Sequence, residues 1–130
     1  MKAEPVDVDP CPFEPVVGLV FGRWTSHVLW VLAHRGATRF TELHAQLPAI
    51  TPKVLTQRLR QLERDGFVRR TYYAEAPPRV EYEATELAGT LTPVFEVLTR
   101  WSSQHLGQVK AARGKFDAGP QAMSVRSGSA

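Results

Sequence analysis

The sequence predicts a mainly α-helical fold with one small β-hairpin, and three observations carry the prediction. Leu55, Leu59 and Leu62 recur at i, i+4 and i+7 behind Thr51-Pro52, the mark of a helix with one buried stripe. The runs Phe67-Val68-Arg69-Arg70-Thr71-Tyr72-Tyr73 and Arg79-Val80-Glu81-Tyr82-Glu83 have strand composition and partial alternation. Pro77-Pro78 between them lacks two backbone donors, so residues 74–78 are a loop and the runs form a hairpin. After the hairpin, Leu87, Leu91, Val94, Leu98 and Trp101 return to helical spacing.

Element by element, residues 1–10 read as a flexible arm. A short apolar helix is expected from Pro12 to about Phe21, with Pro15 either costing it one early hydrogen bond or marking its start. Trp24 to Arg35 is a second helix, stopped by Gly36, with Val28, Leu29, Val31 and Leu32 in the core. Thr38-Arg39-Phe40 can pair with the hairpin as a third strand. Thr41 to Leu47 is the first helix of a helix-turn-helix, and Pro48-Ala49-Ile50 is its turn. The second helix runs from Pro52 to about Asp65, capped by Thr51, where proline at the first position loses no intrahelical bond, and is stopped at Asp65-Gly66. The last helix is expected over about Glu86 to Leu106, with a kink or one-turn break at Pro93. Beyond Gly107 the composition shifts to Gly, Ala, Ser and Lys with little periodicity, which reads as a disordered tail.

The 130 residues suit one domain, residues 11–106, with a modest core. No apolar run approaches a membrane span and the first ten residues lack a signal-peptide core, so a cytoplasmic protein is expected. The single cysteine excludes an internal disulfide framework and a cysteine-cluster zinc site, while an intermolecular disulfide stays open.

Charge is segregated although the net charge is only +3. Residues 51–79 hold seven cations and three anions, whereas residues 1–22 and 80–106 each hold one cation and four anions. Lys53, Gln57, Arg60 and Arg64 fall opposite the leucine stripe. One amide and three cations on an exposed helix suit a DNA major groove, where Arg and Lys read guanine, Gln reads adenine and surplus cations meet phosphate. A solvated basic face is the alternative for the helix alone; the hairpin and the segregation of charge favour a nucleic-acid footprint. On this reading Thr51, Lys53, Thr56, Gln57 and Arg60 make groove and adjacent phosphate contacts, and Arg64 and Arg70 meet phosphate. Arg58, nearer the stripe, pairs with the hairpin or reaches a marginal phosphate. Arg79, leaving the loop at its tip, is placed to enter a minor groove. The competing reading is a protein-interaction module whose basic face binds an acidic protein partner.

Ordered segments along residues 11–101 resemble one family. Cys11-Pro12-x-Glu14, Gly22-Arg23-Trp24-Thr25, Arg39-Phe40-Thr41-Glu42-Leu43, Leu55-Thr56-Gln57-Arg58-Leu59-x-x-Leu62-Glu63-x-x-Gly66, Pro77-Pro78-Arg79-Val80-Glu81-Tyr82 and Pro93-Val94 are similar to the HxlR-type winged helix-turn-helix regulators, relatives of the MarR group. The resemblance implies a homodimeric, operator-binding regulator, usually a repressor, often responsive to oxidants, electrophiles or small ligands. His27, Trp30 and His34 depart from the family's more usual aliphatic or basic residues, which bears on the effector and not on the fold.

Phe13 to Phe21 and Leu87 to Trp101 have more apolar surface than one small domain covers, and a two-fold partner is the commonest solution. Phe13, Leu91, Val94, Leu98 and Trp101 are the expected interface residues. A dimer also presents two reading helices about 34 Å apart, one per successive major groove.

Cys11, ahead of Pro12 at a helix start, reads on its chemistry either as a sensor thiol favoured by the helix dipole and opposed by Glu14, or as a small apolar cap. The resemblance implies the sensor. Trp30 reads as the wall of an effector pocket or dimer contact, or, with His27 and His34, as plain packing, which is the favoured reading. A shared metal is not expected, because residues i and i+7 lie about 10.5 Å apart along a helix axis. No nucleophile elbow, phosphate-cradling glycine loop or metal triad occurs, and Glu81 and Glu83 merely share a strand face. Neither an enzyme nor a cofactor is expected.

Overall fold

The computed structural model describes the backbone of residues 11–129 and the side chains of residues 11–119; the flexible arm expected over residues 1–10 lies outside them. The elements are α1 (Glu14–Val20), α2 (Thr25–Arg35), β1 (Thr38–Arg39), α3 (Phe40–Gln46), α4 (Pro52–Arg64), β2 (Val68–Tyr73), β3 (Arg79–Ala84), α5 (Glu86–Gly89) and α6 (Thr92–Ser129). Among the described residues they form two compact units, one ending at Thr90 and the other beginning at Leu91.

In the first unit the core is a contiguous set of aliphatic side chains, Val20, Val28, Leu29, Leu32, Leu43, Leu47, Ile50, Leu55, Leu59 and Leu62, each buried. Burying one such side chain contributes roughly 2 kcal/mol, so the helical stripes read from the sequence drive the packing of α2, α3 and α4. Proline 15 lies in the first turn of α1 and marks its start, where a missing N–H is harmless. Helix α2 begins one residue later than expected because Trp24 adopts a left-handed conformation, φ 73°.

The sheet has the order β1-β3-β2, antiparallel throughout. The register pairs Val68 with Ala84, Arg70 with Tyr82 and Tyr72 with Val80, alternating with Arg69–Glu83, Thr71–Glu81 and Tyr73–Arg79. Directly opposed residues share a face. Val68, Tyr82 and Thr38 are buried, so the first set faces the helices and the second faces outward. The expected third strand is present as β1, with Thr38 opposite Tyr82 and Arg39 opposite Glu81.

The connection from α4 to β2 is a Schellman turn. The Phe67 amide donates to Leu62 O at 2.9 Å and the Gly66 amide to Glu63 O at 3.1 Å, with Gly66 at φ 87°. A left-handed residue here closes the last carbonyls of the helix, and only glycine enters that region without a Cβ penalty. The hairpin therefore leaves α4 in one direction, and β2 packs along that helix.

After the hairpin the structure decides between the two outcomes expected at Pro93 and overturns the reading of the tail. The helix drawn from Glu86 to Leu106 is two helices, because α5 ends at Gly89 and α6 starts at Thr92. The break precedes Pro93, which sits in the first turn of α6, a position that proline's missing N–H tolerates. Residues 107–129, read as a disordered tail, continue α6 as helix. Lys, Arg, Ala and Gln, which dominate residues 108–113, are good helix formers even without an apolar stripe, and periodicity alone does not register them.

Candidate nucleic-acid interface

Two elements hold the reading helix at its N-terminus. The Thr51 Oγ1 accepts from the Val54 amide at 3.2 Å, capping α4 and leaving the hydroxyl proton able to donate outward. His44 Nε2 lies 2.8 Å from Ile50 O, which ties α3 to the last residue of the turn. This link spans six positions and depends on the fold of the turn, so no sequence signal announces it. Arg39, at the N-cap of α3, donates its amide to Glu42 Oε1 at 3.3 Å, half of a capping box.

The leucine stripe of α4 is buried and the opposite face is open. Lys53, Gln57, Arg60 and Arg64 are exposed, with Thr56 half-buried at the margin. No ion pair among the described residues holds Lys53, Arg60 or Arg64, whereas Arg69, Arg79 and their carboxylates are paired. Gln61, exposed and four residues beyond Gln57, extends the same face. Its i+4 spacing from Gln57 was the signal that could have added it to the candidates.

Arg58 occupies a different place from the one expected. Its Nε donates to Arg23 O at 3.1 Å, pinning the loop between α1 and α2 instead of the hairpin. Position 58 lies beside the leucine stripe of α4.

Arg79 is also differently employed. It opens β3, with Nη1 2.6 Å from both carboxylate oxygens of Glu75 and Nε 3.1 Å from Glu81 Oε2. The guanidinium carbon stands 4.0 Å from the centroid of the Tyr73 ring. The side chain is only 26% exposed. Desolvation acts to lower its pKa, but the hydrogen bonds and attraction of Glu75, then of Glu81, outweigh this and hold the group above its ordinary value. A cation in this clamp is not a bare charge at the tip. Arg69 is likewise paired, its Nη1 2.9 Å from Glu83 Oε1. Arg70, exposed on the helix-facing side of the hairpin, has no ion pair among the described residues.

Away from this surface, Cys11 is exposed and free. Its carbonyl accepts from the Glu14 amide at 2.9 Å, so the thiol stands one turn before α1. Trp30 is 50% exposed, which overturns packing as its role within the chain. Position 30 lies on the side of α2 opposite Val28, Leu29 and Leu32, and its ring lies against that of His34, tilted by 40° with 4.0 Å between centroids, while His34 Nδ1 meets Trp30 O at 2.8 Å. His27 is exposed and its ring lies 5.2 Å from that of Trp24. Phe13, Val16, Val17, Leu19 and Phe21 of the α1 region are exposed, and so, in the second unit, are Val94, Val97, Leu98 and Trp101, whereas Leu91 is half-buried. No single helix among the described residues is long and apolar enough to cross a membrane.

A capped helix with an open basic face, a preceding short helix across a tight turn and a three-stranded sheet ending in a hairpin define a winged helix-turn-helix DNA-binding protein. The HxlR-like helix-turn-helix family model matches residues 19–110, and the chain belongs to that family. It is 39% identical over 100 residues to the HTH-type transcriptional regulator BH0655 of Halalkalibacterium halodurans, covering 77% of this chain and 88% of the relative. Among solved structures, the redox regulator HypR in its reduced form superposes with a TM-score of 0.71 at 33% identity, over 78% of this chain and 99% of that one. The reduced form of the transcriptional regulator YodB from B. subtilis gives 0.67 at 34% identity, over 75% and 95%. The chain is thus an HTH-type transcriptional regulator.

Proposed function

We propose that the protein is a homodimeric repressor that binds a roughly palindromic operator and is released when an oxidant, electrophile or small ligand remodels the dimer. The observation that carries this reading is the open face of α4, where Lys53, Gln57, Arg60 and Arg64 are exposed and no ion pair among the described residues occupies the cations. Gln57 and Lys53 meet base edges, with Thr51 and Thr56 at the adjoining backbone and Arg60 and Arg64 on phosphate. The exposed apolar residues of the α1 region, and separately Leu98, Val94 and Trp101 of α6, support assembly with a second copy.

Cys11 is the proposed sensor. It is exposed, it is the chain's one cysteine, and the related redox regulator HypR has been solved in reduced and oxidised forms. A peroxide oxidises the thiolate to a sulfenic acid with release of hydroxide, a second thiol displaces water from it to give a disulfide, and diamide joins two thiols as a disulfide while being reduced to its hydrazine; sulfenic acid and disulfide are both reversible by reductant. With one cysteine per chain, any protein-only disulfide joins two chains.

Footprinting on the promoter of its own or an adjacent gene, with and without diamide, tests the whole reading. The expected result is a two-fold symmetric protected site that diamide abolishes and dithiothreitol restores, with Cys11→Ser protecting the site in either condition. Equal release of parent and Cys11→Ser eliminates thiol sensing and moves attention to the exposed Trp30–His34 pair. Absence of any protected site, on that promoter and in selection from random duplexes, rejects sequence-specific DNA binding.

A further inference from the structure

We propose that the wing meets the duplex backbone through Arg70 and Tyr72, and that Arg79 is a positioning residue that holds the wing's tip loop. The inference rests on the DNA-binding reading of α4 and specifies how the second contact element of that site works.

The argument begins with the register. The outward face of the hairpin carries Arg69, Thr71 and Tyr73 against Glu83, Glu81 and Arg79, and β1 adds Arg39 opposite Glu81. With Glu75 from the loop, this face holds three arginines and three glutamates and is electrically balanced. Two of the arginines are already engaged by carboxylates, Arg69 by Glu83 and Arg79 by Glu75 and Glu81. A phosphate arriving there must displace a carboxylate partner and meets the displaced negative charge.

The other face is different in kind. Its six positions on β2 and β3 are Val68, Arg70, Tyr72, Val80, Tyr82 and Ala84, so Arg70 is its single charge. Val68 and Tyr82 are buried against the helices, while Arg70 and Tyr72 are exposed, Tyr72 at 56%. This face lies on the α4 side of the sheet, because β2 packs along α4. A duplex seated on the open face of α4 lies on that same side. Arg70 then offers a guanidinium free of ion pairs among the described residues, and Tyr72 a phenolic hydroxyl, both of which suit phosphate and sugar oxygens.

Arg79 acts by holding its surroundings. It joins Glu75 in the loop to Glu81 in β3 and caps the Tyr73 ring, so one side chain ties together the loop and both strands. A pre-formed tip loses less freedom when it docks.

The probe is a duplex of about 30 base pairs enriched by the parent protein from a random pool, with binding measured against potassium chloride concentration. Each lost phosphate contact lowers the slope of log K against log salt by about 0.9. Arg70→Gln is expected to lose about that much per bound subunit and to bind several-fold more weakly at physiological salt, with Arg70→Lys retaining the slope. Tyr72→Phe is expected to weaken binding a few-fold without changing the slope. The decisive variant is Glu75→Gln/Arg79→Gln/Glu81→Gln, which removes the clamp's charges together. It is expected to keep the parent's slope, and its tip loop to be cut faster by protease than the parent's. Arg79→Lys, which keeps the charge but not the fork, is expected to restore only part of the protection. A triple variant that loses about one counterion per subunit overturns the proposal, as does an Arg70→Gln protein, melting like the parent, with an unchanged slope. A parent that enriches no duplex instead removes the DNA-binding reading on which the inference rests.

Discussion

Gln57 shows how much one position can say. It lies on the open side of α4, opposite three buried leucines, and glutamine has the donor and acceptor to read an adenine edge. Gln57→Ala is expected to relax discrimination at one base position per half-site by about 1–3 kcal/mol, measured with a set of single-base operator variants, and to leave the melting temperature unchanged. Uniform binding loss across all variants would place Gln57 on phosphate, and unchanged binding to all of them would place it off the duplex. Gly66 makes the complementary point for stability. At φ 87° any side chain meets a backbone penalty, and Gly66→Ala is expected to destabilise the protein by about 1–2 kcal/mol in a denaturant titration. An unshifted midpoint would mean that the helix terminus relaxes away from its left-handed turn. For Arg79 the sign of linkage is simple: its raised pKa stabilises the fold at every pH below the ordinary arginine value and is lost only above it. The guanidinium therefore stays charged throughout the range in which the protein is handled.

At the scale of elements, the reading helix was legible nearly to the residue. Thr51-Pro52 and Asp65-Gly66 are strong local punctuation, and a three-leucine stripe leaves one solution for the facing side. Arg58 was not legible in the same way, because its partner is a carbonyl 35 positions away. The bond to Arg23 O ties α4 to the loop that enters α2. Arg58→Ala is expected to lower stability by about 1 kcal/mol, read by thermal unfolding, and an unchanged melt would show that water replaces the bond without loss. At Pro93 either a kink or a one-turn break was expected, and the helix breaks. The proline's exact effect, a new helix starting one residue before it, follows from proline's tolerance of first-turn positions. The segment after Gly107 was misread because helix propensity without amphipathic patterning leaves no periodic trace.

For the whole molecule, the exposed apolar residues of α6 bear on assembly. Trp101 is 49% exposed, with Val94 and Leu98 exposed on the same helix, and a second copy is the proposed cover. Trp101→Asp is expected to convert the dimer to monomer, because a carboxylate in an apolar seam is left unpaired, and to weaken operator binding through loss of the second half-site. Sedimentation velocity decides the first part, and a dimer that survives the substitution would place its seam elsewhere. Hydrophobic period, turn chemistry and charge segregation by themselves determined the class of fold, the order of its elements and which face of α4 is left open and basic. These are consequences of near-neighbour geometry, which any reader of i, i+3 and i+4 can apply. Only the tertiary structure decided which cations remain available, since Arg58, Arg69 and Arg79 are engaged by partners that the register and the loop fold bring to them. The physical reason is that a pairing between distant positions depends on sub-ångström placement of whole elements, whereas an amphipathic stripe depends only on 3.6 residues per turn.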